Sequence, residues 1–228
     1  MQPEEIAKTI DHTLLRADAT ATDVETLCRE AAAYHFAAVC VFPHYVPMCA
    51  SLLKRTDVKT CTVVSFPYGA DTQRVKTLAA DEAVRRGADE VDVVINVSAF
   101  LSGEFGLVRD ELSGVVRAVH LRGIDMGRGQ VIVKAIIETC YLDEKLKRLA
   151  CRICEQAGVD FVKTSTGVGP HGATAKDVEL LRDCLDAHIG VKASGGIRTA
   201  ADLERMVDAG AVRIGTSAGA AIMRERLP

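Results

Sequence analysis

The stretch Glu90-Val-Asp-Val-Val-Ile-Asn96 is nearly continuously apolar, with Asp92 set inside it. A strand with one wet face would alternate; a strand apolar on both sides is the pattern of a parallel sheet covered by helices. Working outward, residues 36–42 and 60–66 repeat this pattern before it, and 131–137, 159–164, 189–193 and 212–215 repeat it after. The segments between them keep helical spacing. Val24, Leu27, Ala31 and Tyr34 mark one face, Val108, Leu112, Val115 and Val119 a second, and Val178, Leu181 and Leu185 a third. Thr22 with Glu25, Thr174 with Asp177 and Thr199 with Asp202 have capping-box spacing, which predicts helix starts there. An eighth strand is expected at 9–13. Eight strand–helix repeats in 228 residues predict an α/β fold, a single (β/α)8 TIM barrel over 1–228. An open doubly wound sheet is the rival, because the same alternation builds it.

Composition bounds the function classes. With 48% hydrophobic residues the chain can bury a full core, and a net charge of −3 gives no support for nucleic acid or an anionic membrane as partner. The first thirty residues show neither a basic start nor an apolar signal core, and no run approaches a membrane span, so a cytoplasmic protein with reduced thiols is expected. Of the eight cysteines, Cys151 and Cys154 have CxxC spacing but fall inside the helical pattern of Leu142, Leu146, Leu149, Ile153 and Ala157. They read as small core residues. No metal-ligand spacing stands out among histidines, cysteines and carboxylates, so neither metal nor cofactor is expected.

The informative feature is charge inside apolar strands: Asp92, Lys134, Lys163 and Lys192 lie on four consecutive ones. In a barrel, alternate residues point inward and the C-terminal strand ends carry the site, so these four can meet at one mouth. A buried structural ion network is the bland reading. Three cations against one clear anion, with Asp11 and Glu138 as further candidates, favour a task or an anionic ligand. Amine nucleophilicity is such a task. A free lysine near pKa 10.4 is neutral about once in two thousand at pH 7. A second ammonium about 5 Å away, at an effective dielectric near 20, contributes roughly 3 kcal/mol against that charge. Such a lysine is ready to attack a carbonyl.

Two glycine loops follow the last strands: Ala193-Ser-Gly-Gly-Ile-Arg198, and Ile214-Gly-Thr-Ser-Ala-Gly219. Backbone N–H groups there can cradle an anion, at the place where phosphate-binding barrels hold one. Ser165-Thr-Gly-Val-Gly-Pro-His-Gly172 could line the site, act as a lid or be an inert turn. His171 has no evident partner and receives no catalytic role.

Taken in order, Ile10-Asp-His-Thr-Leu14, Ala38-Val-Cys-Val-Phe-Pro43, Glu90-Val-Asp-Val-Val-Ile-Asn96, Phe161-Val-Lys-Thr-Ser-Thr-Gly167 and Val191-Lys-Ala-Ser-Gly-Gly-Ile-Arg198 resemble the deoxyribose-phosphate aldolases, from about residue 8 to 220. The resemblance implies reversible, metal-free cleavage of 2-deoxy-D-ribose 5-phosphate to acetaldehyde and D-glyceraldehyde 3-phosphate. It makes Lys163 the Schiff-base nucleophile, Lys192 the group that lowers its pKa, and Asp92 with Lys192 the proton shuttle. By it, Lys134 and Asp11 complete the network, Cys40 and Thr166 lie near the substrate, and Gly195, Gly196, Gly215 and Ser217 hold the phosphate. It also implies a homodimer with small phosphosugar and aldehyde partners. Two features depart from the pattern of some members: Val168 stands where they carry a basic residue, and Arg226-Leu-Pro228 stands where they carry a tail ending in tyrosine. The alternatives are another phosphosugar barrel enzyme, such as an isomerase or a different lysine-dependent aldolase, and a non-catalytic sugar-phosphate-binding barrel.

Overall fold

A computed structural model describes residues 1–226; Leu227 and Pro228, part of the stretch set against the tyrosine tail, lie outside the described residues. Eight parallel strands close in sequence order: β1 (Ile10–Leu14), β2 (Ala38–Val41), β3 (Lys59–Val64), β4 (Glu90–Val94), β5 (Ile132–Ile136), β6 (Phe161–Lys163), β7 (Gly190–Ser194) and β8 (Arg213–Thr216). Closure excludes the open sheet: β1 pairs with β8 through Ile10 with Ile214 and Asp11 with Gly215. The expected strand bounds differ from the observed ones by no more than two residues. Phe36, Ile95, Val131, Ile137 and Ile189 are buried just outside the strand bounds, and the Ile95 and Ile137 N–H groups still donate across to Ile136 and Lys163.

Ten α-helices wrap the barrel among the described residues. α1 (Pro3–Ala7) precedes β1, and α2 (Ala21–Tyr34) and α3 (Val46–Leu52) precede β2 and β3, respectively. Next come α4 (Gln73–Arg86), α5 (Val97–Leu101), α6 (Phe105–Asp125), α7 (Glu144–Ala157), α8 (Ala175–Cys184), α9 (Ala200–Asp208) and α10 (Gly219–Arg224). None is long and apolar enough to cross a membrane, among the described residues. The Thr174 and Thr199 caps form as expected: each hydroxyl accepts an N–H, from Asp177 and Asp202 respectively. The Thr22–Glu25 expectation is corrected. Thr20 is the cap, because its hydroxyl takes the Asp23 N–H while the Asp23 carboxylate takes the Thr20 N–H at 2.8 Å.

Strand alternation separates two interiors. Outward-facing Ile10, Val39, Val91, Val133, Val162, Val191 and Ile214 join the helices in one large apolar shell. Of the inward-facing residues, Ala38, Cys40, Cys61 and Val63 form a small separate apolar cluster, confined to β2 and β3. Polar and charged side chains occupy much of the remaining lumen. Cys151 and Cys154 belong to the shell on α7, where burial pushes the Cys151 thiol up to about 12 and Cys154 well above its ordinary value.

Candidate active site

Register brings the charged residues together. Asp92 pairs across the ladder with Lys134, Lys163 with Lys192, and Lys192 with Arg213. Lys163 and Lys192 both donate to the same oxygen, Asp92 Oδ2, at 2.8 and 2.7 Å. Lys134 donates to the other oxygen at 2.9 Å and lies 2.6 Å from Glu90. Asp11 stands 2.5 Å from Lys192, 3.8 Å from Lys134 and 3.2 Å from Arg213. Arg213 also bonds Glu90. Asp11, Asp92, Lys134 and Lys192 have no exposure at all, and Lys163 retains 2%.

These ions survive burial because they face one another. Burial alone would raise the Asp92 carboxyl, but Lys134, Lys163 and Lys192 hold it well below the carboxylate range. Burial likewise works against Asp11, which Arg213, Lys192 and Lys134 bring down to about 2. For Lys134 and Lys192 burial would favour the neutral amine; at Lys134 Asp92 together with its other neighbours, Glu90 and Asp11 among them, outweighs it, and at Lys192 Asp11 with Asp92 does, so both are raised. The pair therefore differs in its anchors. Lys192 has two carboxylates within 2.7 Å, whereas Lys163 has one partner, which it shares.

Beside Lys163 opens a cavity of about 350 Å³, lined by Thr166 and Gly167 on one side and by Ser194, Gly195, Gly196, Arg198, Gly215 and Ser217 on the other. Gly195 and Gly196 have φ of +87° and +80°, which favours glycine. Gly215 has a different reason to be glycine: a Cβ there would lie 2.1 Å from the Ser194 hydroxyl and 3.3 Å from Lys192 Cε. Of the 165–172 segment, Thr166 and Gly167 line the cavity, whereas Val168 and His171 are exposed. Thr166 donates its N–H and hydroxyl to Glu138, and Ala173 donates to the carbonyls of Ser194 and Gly195. The His171 ring nitrogen Nδ1 lies 3.2 Å from the Gly172 carbonyl.

Two expectations change. Glu138 is outside the charge network, because it lies beyond the end of β5 and there anchors Thr166. Cys40 lies in the lumen but does not line the cavity; its neighbour Cys61 is the thiol that meets Asp92, at 3.2 Å, and Lys134, at 3.4 Å. Sequence reasoning missed Glu90 and Arg213, which sit at strand starts, where a charge reads as ordinary solvent exposure. It also missed Arg16 and Ser194 on the cavity wall. The alternation signal was available, since Glu90 is two residues before Asp92 and so shares its face. Cys40, Cys61 and Asp92 bring ligand-type atoms within 4.8 Å, as do Asp11, Cys61 and Glu90. Their carboxylates are already engaged by lysine or arginine, a donor set that opposes a metal cation.

Similarity to known proteins agrees with this geometry. A family described as DeoC/LacD family aldolase matches residues 6–227. A deoxyribose-phosphate aldolase of Thermoanaerobacter sp. (strain X514) is 51% identical over 220 residues, 96% of this chain and 96% of its own. One from Caldanaerobacter subterraneus subsp. tengcongensis is 50% identical over 96% of this chain and 93% of its own. A solved structure described as a unique tetrameric deoxyribose phosphate aldolase from Aeropyrum pernix superposes with a TM-score of 0.88, at 37% identity, over 98% of this chain and 92% of that one. A lysine-rich barrel lumen beside a glycine-walled cavity, and likeness of this extent, place the chain in the DeoC/LacD aldolase family.

Proposed function

We propose that the chain is a class I aldolase that reversibly cleaves 2-deoxy-D-ribose 5-phosphate to acetaldehyde and D-glyceraldehyde 3-phosphate, with Lys163 as the Schiff-base nucleophile. The carrying observation is that Lys163 and Lys192 share one oxygen of Asp92 beside a cavity walled by glycine loops. Lys163 has the fewest anionic partners of the three lysines, so its loss of a proton forfeits least. It is also the one that lines the cavity.

The neutral amine adds to the C1 aldehyde of the open-chain sugar, and loss of water leaves a protonated imine. Because acetaldehyde carries two carbons, the bond that breaks is C2–C3. Its electrons flow into the imine to form an enamine on Lys163, while the C3 hydroxyl proton leaves through a water toward Asp92 and Lys192. The same pair returns a proton to C2, and hydrolysis releases acetaldehyde. Asp92 enters the step ionised among its three lysines and carries the C3 hydroxyl proton until it is passed to C2, while Lys192, fixed by Asp11, keeps its charge beside the reacting nitrogen. Lys134 and Asp11 hold Asp92 and Lys192 in place. Gly195, Gly196, Gly215 and Ser217 receive the phosphate, with Arg16 and Arg198 on the same wall in place of a cation at Val168. Thr166 faces the substrate from the β6 side, and Cys40 supports the lumen behind it.

The same reading makes residues 1–228 one catalytic unit, a cytoplasmic homodimer needing no cofactor. Light scattering at twice the 24.4 kDa chain mass supports the dimer; four times that mass replaces it with a tetramer. Borohydride reduction with deoxyribose 5-phosphate, read by peptide mass spectrometry, tests the chemistry. A stable adduct on the Lys163 peptide, lost in Lys163→Leu, is expected. Folded protein that binds the sugar phosphate without an adduct overturns the mechanism.

A further inference from the structure

The lumen holds seven charged groups that touch in one chain. Asp11, Glu90 and Asp92 bring three negative charges; Lys134, Lys163, Lys192 and Arg213 bring four positive ones. β2 and β3 bring only the thiols of Cys40 and Cys61, and burial pushes Cys61 up. With every lysine protonated the lumen therefore carries one uncompensated positive charge among side chains that are almost fully buried. With Lys163 neutral it balances. All the other cations have at least two carboxylate partners, and Lys163 has one.

Arg213 and Glu90 stand at the far end of this chain, away from the cavity, and contact neither Lys163 nor its wall. Arg213 is built in deliberately. Its guanidinium lies over the Phe161 ring at 5.7 Å, and Gly190 has no side chain, where a Cβ would come within 2.2 Å of that ring. Residues so placed have no route to substrate, but they set the charge that the rest of the lumen must balance.

We infer that Arg213 and Glu90 are a pair of positioning residues of opposite sign that set, through the Asp11–Lys192–Asp92–Lys134 chain, the protonation of Lys163. This rests on the Schiff-base reading of Lys163 for its purpose, but its physics does not depend on turnover. Removing the Arg213 charge leaves a lumen that balances only when Lys163 is protonated. Removing the Glu90 charge leaves excess positive charge that drives the proton off.

The test measures the pH dependence of Lys163 acylation by acetic anhydride, by peptide mass spectrometry, and in parallel the acid limb of kcat/KM on deoxyribose 5-phosphate. Arg213→Met is expected to move the inflection up by about one pH unit and Glu90→Gln to move it down by a similar amount, the effect of one charge roughly 10 Å away at an effective dielectric near 20. The double variant returns it to the wild-type position, and Arg213→Lys leaves it unmoved. Single variants that shift it in the same direction, or not at all, while keeping the wild-type circular dichroism, overturn the inference. If Arg213→Met does not fold, the near-isosteric Glu90→Gln and the charge-restoring double variant decide it. Opposite acylation shifts in a protein that forms no borohydride adduct would uphold the charge coupling and discard the aldolase reading.

Discussion

The helix-facing shell and the barrel lumen are built from alternate residues of the same strands, yet they follow opposite rules. In β4, Val91 and Val93 face the helices and Glu90 and Asp92 face the lumen. The shell is stabilised by non-directional apolar burial, in which neighbours can adjust to a lost methyl group. In the lumen each ion is tolerable only while its partners stay in place. The shell thus supplies the stability that holds an expensive, directional lumen rigid. The difference teaches where function can reside: the shell would tolerate many apolar solutions, whereas removing one lumen charge alters all the rest.

The largest expected effect is therefore in the lumen. Asp92→Asn removes the anion shared by three lysines and should cost about 3–5 kcal/mol in urea unfolding, with loss of the Lys163 adduct. A cost within the range of surface substitutions would mean that water already screens these charges, and the contrast between the two interiors would collapse. In the shell, Leu181→Ala, at a fully buried position of α8, should cost about 3 kcal/mol and leave the adduct and its pH dependence intact. A changed pH profile in that variant would show that shell packing reaches the lumen.

The shell was the legible half. Period-two and period-3.6 patterns reveal burial without knowledge of partners, so Val91, Val108, Leu112 and Leu181 could be placed from spacing alone. The lumen was partly legible, because Asp92, Lys134, Lys163 and Lys192 interrupt apolar runs and the alternation of each strand sets their face. The anions were harder. Asp11 and Glu138 looked equivalent as candidates, and only the three-dimensional ends of β1 and β5 separate them: Asp11 reaches Lys192, whereas Glu138 has passed the ladder and takes Thr166. Arg213 and Glu90 were passed over because charge at the first residue of a strand normally signals a surface, although alternation from Asp92 puts Glu90 on the lumen face. The phosphate wall was legible as two glycine loops, but the separate reason for Gly215, room for Ser194 and Lys192, requires coordinates.

A pH series sharpens the comparison on a smaller scale. Asp11 has its folded-state pKa depressed to about 2 from an ordinary 3.8. A depressed carboxyl contributes stability fully above its unfolded value, and that contribution is lost as pH falls from about 4 through about 2. For Asp11 this is about 2 kcal/mol, and Asp92, held lower still, adds to the loss in the same direction. Stability measured by urea unfolding should therefore decline over that window in the wild type. Asp11→Asn should start lower and decline less, while Leu181→Ala should run parallel to wild type. A parallel decline in Asp11→Asn would remove Asp11 from the ion network.

The smallest effect distinguishes two readings of one helix start. Thr22–Glu25 spacing points to a cap at Thr22, but Thr20 and Asp23 make the reciprocal bonds and Thr22 is exposed within α2. Thr20→Ala should cost about 1 kcal/mol, the usual worth of a cap, and Thr22→Ala almost nothing. Both measurements use thermal unfolding, and in both variants borohydride trapping should be as in the wild type, because the cap belongs to the rim of the shell. Equal costs at the two threonines would leave the helix start undetermined by capping. A loss of trapping in Thr20→Ala alone would instead tie the cap to the cavity, through the 2.6 Å pair between Asp23 and the cavity residue Arg16.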